Sequence, residues 1–390
     1  MFGFCKPARP AGAHYARGVS ADDLTLDQVA ALPKVLLHDH LDGGVRAATV
    51  LELADEIGHP LPAEDAAGLA DWFLASASSG SLEDYLTTFE HTVAVMQRAE
   101  HLRRIASEAV EDLAADGVVH AELRYAPELH QQGGLTGDEV VGAVADGIAD
   151  GIARAAAQGR AIRVVQILTI MRQADNGRAT AELALRWRRT GVGGVDLAGP
   201  EAGFGPARHQ NALRMLRRAS MPVTIHAGEG AGVPSIAEAL HVGGAVRLGH
   251  GARLVEDITF GRRTEDDPLG LSGAALGDLA HWVRDQQVPL ELCPTSNLHT
   301  HLAPSLAEHP VTALHRLGFA VTISTDNRLM SATSPTAELW RLVEIGWTLD
   351  DLRDVALTAA WSTLVHQDER EALVEDVLQP AYTPKGRHRA

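Results

Sequence analysis

Four short stretches of this 390-residue chain concentrate residues able to bind metal and move protons: His38-Asp39-His40-Leu41-Asp42-Gly43, His226-Ala227-Gly228-Glu229, Gly249-His250-Gly251 and Thr325-Asp326-Asn327. In an extended strand alternate side chains share a face, so His38 and His40 point together while Asp39 points away. An isolated H-x-H could equally be two satisfied core histidines; its coincidence with three further polar clusters is what points to a site. His226 and Asp326 complete a set of three imidazole nitrogens and one carboxylate oxygen, suited to Zn2+ with water in an open position. Bound zinc lowers the pKa of water from about 16 to about 7, which makes hydroxide available at neutral pH. Glu229 is placed either to exchange protons with a substrate nitrogen or to cap the helix that follows. His250, between glycines that admit close approach, is either a participant or a histidine bonded to backbone.

These residues need a scaffold that brings distant segments to one place. From about Val35 onward, short apolar runs alternate with longer segments of helical period, and no Ser/Pro-rich linker divides them. The predicted strands are Val35–Leu41, Val118–Tyr125, Arg163–Ile170, Gly193–Leu197, Pro222–His226, Val246–Gly249, Val288–Leu292 and Ala320–Ser324. They read as continuous apolar stretches, as strands covered on both faces of a parallel sheet do. The polar clusters fall at the C-terminal ends of four of them. The expected fold class is α/β: a (β/α)8 TIM barrel with extra helices inserted after the first strand over the C-terminal face. The expected organisation is a flexible tail over 1–20, a single catalytic barrel domain over 21–380 with a helical lid insertion at 45–116, and a flexible tail over 381–390. Within the insertion, Ala47–Ile57 and Leu82–Met96 carry helical patterns. The second sets Leu82, Tyr85, Leu86 and Phe89 on one side, as either a pocket wall or packing.

Composition limits the partners. The 34 Lys and Arg against 51 Asp and Glu leave a net charge of −17, which argues against binding nucleic acid or an anionic membrane surface through basic clusters. A small ligand is expected. Only Cys5 and Cys293 are present, beside 19 histidines; two distant thiols form neither a disulfide framework nor a cysteine zinc site, and a reducing cytosol fits best. The first twenty residues lack the apolar run of a signal peptide, and no stretch approaches the ~18 apolar residues of a membrane span.

In order along the chain, the blocks Pro33-Lys34-Val35-Leu36-Leu37-His38-Asp39-His40-Leu41-Asp42-Gly43, Ala121 to Pro127, Gly194 to Glu201, His226 to Glu229, Leu248 to Gly251, Leu292 to Asn297 and Ser324 to Asn327 resemble the adenosine deaminase family, over about Leu32 to Leu373. The resemblance implies hydrolytic removal of the 6-amino group of adenosine or deoxyadenosine, with one zinc per subunit. It also implies roles. His38, His40, His226 and Asp326 bind the metal, His250 orients and helps deprotonate the attacking water, and Glu229 protonates purine N1. Around the nucleoside stand His40, Asp42 at the ribose 5′-hydroxyl, Gly199 at N3 and Asn327 at N7. Many members carry a second aspartate where this chain has Asn327; an amide donates to N7 without needing a proton of its own. Other readings are a deaminase of adenine or of a 5′-modified adenosine and a non-catalytic deaminase-like binding protein. A binuclear cyclic-amide hydrolase would want a bridging lysine that Gly193 to Glu201 lacks, and the cytidine type a P-C-x-x-C motif absent here. Glu122 and Arg124 read either as a pair bracing the barrel or as substrate contacts. His299 and His301 are expected in a solvated loop, and 261–270 in an exposed one. The sequence leaves the oligomeric state open.

Overall fold

The structure is a computed structural model that describes residues 24–78 and 86–383. Its frame is eight parallel strands: β1 (Lys34–His40), β2 (Val118–Tyr125), β3 (Arg163–Met171), β4 (Val192–Ala198), β5 (Thr224–Ala227), β6 (Arg247–His250), β7 (Leu290–Leu292) and β8 (Val321–Ile323). They pair in two sheets, in the order β1-β2-β3-β4 and β8-β7-β6-β5. Helices cover their outer faces, so β5 to β8 are buried throughout, which is why they carry so few polar residues on that side.

The two sheets meet at thin seams to complete the (β/α)8 barrel. Val195 on β4 bridges Val223, and Asp39 on β1 bridges Asp326 just past β8. At the second seam His40 N donates to the Asp326 carbonyl at 2.8 Å, and Asp326 N donates to the His38 carbonyl at 3.0 Å. The backbone contact that joins the sheets therefore also sets two histidines against one aspartate. All eight expected strands are present. β5, β7 and β8 are shorter than the apolar runs suggested; Pro222 and Pro289, which lack the N–H a ladder uses, lie just ahead of β5 and β7.

The segment after β1 holds helices Ala47–Ile57, Ala66–Ala77 and Phe89–Val95. The first has the expected limits. The second was not anticipated, although Asp65 caps it by accepting from Gly68 N at 2.8 Å. Of the expected Leu82–Met96 helix, residues 82–85 lie outside the described ones. The next helix, Ala99–Ala115, falls within the expected lid span but is an ordinary barrel helix. Its Leu102, Ile105, Ala109 and Leu113 are buried, and it packs closely on helix Gly137–Ala157, where a side chain at Gly147 would run into the Arg103 carbonyl. At the other end, Tyr382 was expected in a flexible tail but is 1% exposed, its hydroxyl donating to the Pro33 carbonyl at 3.1 Å. Burial of the ring holds the chain here through at least this residue. The expected 1–20 tail and residues 384–390 lie outside the described residues. Among the described residues, no helix is long and apolar enough to cross a membrane.

Candidate metal centre and proton-transfer pair

The ends of β1, β5 and β8 bring His38, His40, His226 and Asp326 together, with one donor atom from each lying within 4.8 Å of all the others. Asp326 Oδ1 stands 3.3 Å from Nε2 of both His38 and His40. His40 Nε2 and His226 Nε2 approach to 3.2 Å. Asp326 takes a left-handed φ of 61°, a strained conformation for a residue with a side chain, and this turns its carboxylate back into the mouth.

Two of the three rings have a carboxylate behind them. Asp196 Oδ1 on β4 accepts from His226 Nδ1 at 3.0 Å, and Glu291 Oε2 on β7 lies 3.2 Å from His38 Nδ1. A carboxylate at Nδ1 draws the ring proton there and leaves Nε2 as a lone pair facing the cluster. Burial pushes the pKa of His40 and His226 below the ordinary histidine range, keeping both rings neutral. Burial opposes ionisation of Glu291 too, but Arg124 and Arg247 outweigh it and hold this carboxyl well below the usual range. Asp326 is fixed in turn by Ser296, whose hydroxyl donates to Oδ2 at 2.6 Å. Neutral imidazole lone pairs aimed at one another beside a carboxylate repel unless something positive sits between them, so this donor set fits a divalent cation.

Beneath the cluster the barrel is filled with charge. Glu122 and Arg124 do not pair with each other: both face inward from β2, and each reaches across to another strand. Arg247 Nη2 on β6 donates to Glu122 at 2.6 Å, Arg124 Nη2 donates to Glu291 at 2.7 Å, and Arg247 Nε lies 2.7 Å from Glu291. This network braces the barrel, and through Glu291 it ends on His38. Asp39, pointing away as expected, accepts from Thr325 Oγ1 and Arg328 Nε.

Glu229 and His250 face one another beside the cluster, with Glu229 Oε2 3.4 Å from His250 Nε2. Both are buried. His250 ends β6 with φ of 60°, and burial holds its pKa well below the ordinary value. The turn carrying Glu229 is gripped by Glu201, which sequence reading left without a role. Its Oε1 accepts from Gly228 N at 2.8 Å and from the Ser235 hydroxyl, and its Oε2 from the backbone N–H of Glu229, Gly230 and Ala231 at 3.1, 2.8 and 2.9 Å. Glu201 thus holds the turn itself, while helix Val233–Glu238 beyond it has no side-chain cap bond at Gly232.

Asp42 is buried behind His40. Its Oδ1 lies 4.0 Å from His40 Nδ1 and has no hydrogen-bond partner among the described residues, and burial pushes its pKa up to about 7. Gly199 directly follows β4 on the same rim with φ of 106°, where a side chain would be strained. Asn327 is buried directly after Asp326, and a side chain at Gly43 would run into its amide. Phe89 stands edge-on to His40 with ring centroids 6.5 Å apart. Leu86 is half-buried; Leu82 and Tyr85 lie outside the described residues. His299 ends a short helix and is half-buried, contrary to the solvated loop expected, whereas His301 is exposed. Asp196, Glu291, Ser296 and Asn297 were missed as site residues. The available signal was a lone polar group in an apolar strand or at its end, which needs a partner.

The adenosine deaminase family matches residues 33–380 of this chain. The adenosine deaminase of Mycobacteroides abscessus is 52% identical over 362 residues, covering 92% of this chain and 98% of that protein. Adenosine deaminase 1 of Streptomyces coelicolor is 51% identical over 358 residues, covering 91% and 88%. Among solved structures, an amidohydrolase of Burkholderia ambifaria with bound Zn aligns with a TM-score of 0.77 at 25% identity over 96% of each chain. The adenine deaminase of Arthrobacter aurescens aligns with a TM-score of 0.77 at 23% identity, over 90% of this chain and 100% of that one.

Proposed function

The chain belongs to the adenosine deaminase family, and on that premise we propose that it hydrolyses adenosine and 2′-deoxyadenosine at C6, giving inosine or 2′-deoxyinosine and ammonia. The observation that carries this reading is the meeting, on one barrel rim, of a three-histidine, one-aspartate donor set with the facing pair Glu229 and His250. His38, His40, His226 and Asp326 would hold zinc, which when bound supplies the Lewis acidity that makes hydroxide available from water at neutral pH.

The chain's own residues account for the proton traffic. Glu229 delivers a proton to N1 as the water oxygen joins C6, so the ring need not carry the negative charge that addition creates. A second proton moves to the amino nitrogen, the C6–N bond breaks with its electrons leaving on nitrogen, and ammonia departs. His250 holds the attacking water. Asp42 receives the 5′-hydroxyl, and its buried charge disfavours a 5′-phosphate. Gly199 lets its backbone approach N3, and Asn327 donates to N7.

The test is to incubate the purified protein, with its metal quantified, with adenosine, deoxyadenosine, adenine and AMP, following loss of adenine absorbance. Turnover of the two nucleosides well ahead of adenine and AMP is expected. A zinc-loaded protein that turns over none of the four would overturn the reading.

A further inference from the structure

We propose that Asn297 and His309 are positioning residues that hold His250 as its Nε2–H tautomer, so that the ring meets the attacking water as a hydrogen-bond donor. The chain of bonds is directional because it starts at a backbone amide. Val311 N can only donate, and it lies 3.1 Å from His309 Nδ1, so that nitrogen accepts. His309 is buried, and burial pushes its pKa down to about 3, so the ring is neutral. A neutral imidazole has one donor and one acceptor nitrogen; its proton is therefore on Nε2, which donates to Asn297 Oδ1 at 3.2 Å. With its oxygen committed, the Asn297 amide turns its nitrogen to His250 Nδ1 at 3.1 Å. That nitrogen also can only donate. His250 Nδ1 must accept, and the remaining ring proton sits on Nε2, the atom 3.4 Å from Glu229 Oε2.

His250 is left with no vacant proton site facing the reaction: Nε2 already carries its hydrogen, and Nδ1 is turned to an amide N–H. The inference rests on the deaminase reading, and within it the proton released by water goes to the Glu229 carboxylate, which passes it to N1; no atom is gained or lost. Asn297 lies in the helix Pro294–His299 after β7, and His309 stands two residues before helix Val311–Arg316. Two short helices outside the metal set thus fix which face of an imidazole is protonated.

The experiment is nitrogen-15 NMR of histidine-labelled, zinc-loaded protein, with the His250 signals assigned by their loss in His250→Asn. The wild type should show a protonated Nε2 and an unprotonated Nδ1. Asn297→Asp presents only oxygen to Nδ1 and should move the proton there, lowering kcat by roughly 10 to 100-fold with KM little changed. His309→Phe should give a smaller loss, and His309→Gln, whose amide nitrogen can still donate to Asn297, should recover part of it. A wild-type His250 protonated at Nδ1, or an Asn297→Asp protein with unaltered tautomer and kcat, overturns the proposal. If Asn297→Asp does not fold, the wild-type spectrum and the His309 pair decide. The tautomer can be read whether or not adenosine is turned over, so failure of the deaminase reading is distinguishable.

Discussion

The carboxylate of Glu201 lies inside the turn that carries Glu229, accepting from the Glu229 backbone N–H at 3.1 Å and from those of three flanking residues. A buried carboxylate satisfied by a nest of amides fixes that turn more tightly than packing could, because each bond constrains a peptide plane. Glu201→Gln puts an amide N–H against donors and should lower kcat by roughly 10 to 100-fold with zinc content unchanged. The decisive measurement is a double-mutant cycle: if Glu201 acts through Glu229, its substitution should cost little further in a Glu229→Gln background. Full additivity would assign Glu201 to general stability.

Removing the metal should abolish turnover and loosen the fold. The cluster sets three imidazoles and a carboxylate within 4.8 Å, and a cation that binds only the folded state stabilises it by about 2.7 kcal/mol when free metal is 100 times its Kd. Chelation followed by dialysis should lower the Tm, and added zinc should restore both Tm and activity. An unchanged Tm would show that the cluster binds no metal of consequence.

Asp196→Asn keeps the shape of the side chain but weakens its hold on the His226 Nδ1 proton, now shared at 3.0 Å. Zinc affinity should fall roughly 10 to 100-fold, read by competition with a chromogenic chelator. Equal affinity would mean that Asp196 serves the barrel charge network alone, through the Arg124 guanidinium 3.6 Å away.

Recognition of purine N7 by Asn327 predicts a specific loss. The 7-deaza analogue of adenosine removes the acceptor, and Asn327→Ala removes the donor. Each should lower kcat/KM by about tenfold, and the two together by little more than either. An undiminished rate on the analogue would rule out the contact.

Acid should destabilise the protein through a buried histidine outside the metal set. His130 is 0% exposed, neither ring nitrogen has a hydrogen-bond partner among the described residues, and burial pushes its pKa down to about 4. The folded state then binds fewer protons than the unfolded state, whose histidine titrates near 6.5, so stability falls as pH drops from about 6.5 towards 4. At pH 5 the contribution is about 2 kcal/mol. Urea titrations at pH 7.5 and 5 should show a smaller acid loss for His130→Phe than for the wild type; equal losses would place the sensitivity elsewhere.

The metal set was legible because its chemistry is written locally. His38 and His40 share a strand face by the period of two, and the polar groups stand at the ends of apolar runs, where only a barrel mouth could satisfy them. Asp39 pointed away for the same reason. The insertion was half legible: Ala47–Ile57 has a clean apolar stripe, while Ala66–Ala77 was passed over despite Asp65 at its cap. Tyr382 was misplaced because tail composition says nothing of where one aromatic ring docks.

The sequence by itself determined the eight strands, the rim they share and the donors that rim carries, since periodicity and strand-end position depend only on neighbours in the chain. Only the tertiary structure decided which carboxylate holds which ring. Glu291 backs His38, Asp196 backs His226, Arg247 takes Glu122 away from Arg124, and Glu201 grips the turn of Glu229. Those partners lie on segments far apart in sequence, and a buried charge pairs with whatever the closed barrel brings within about 3 Å. That choice is made by closure, at seams one bridge wide.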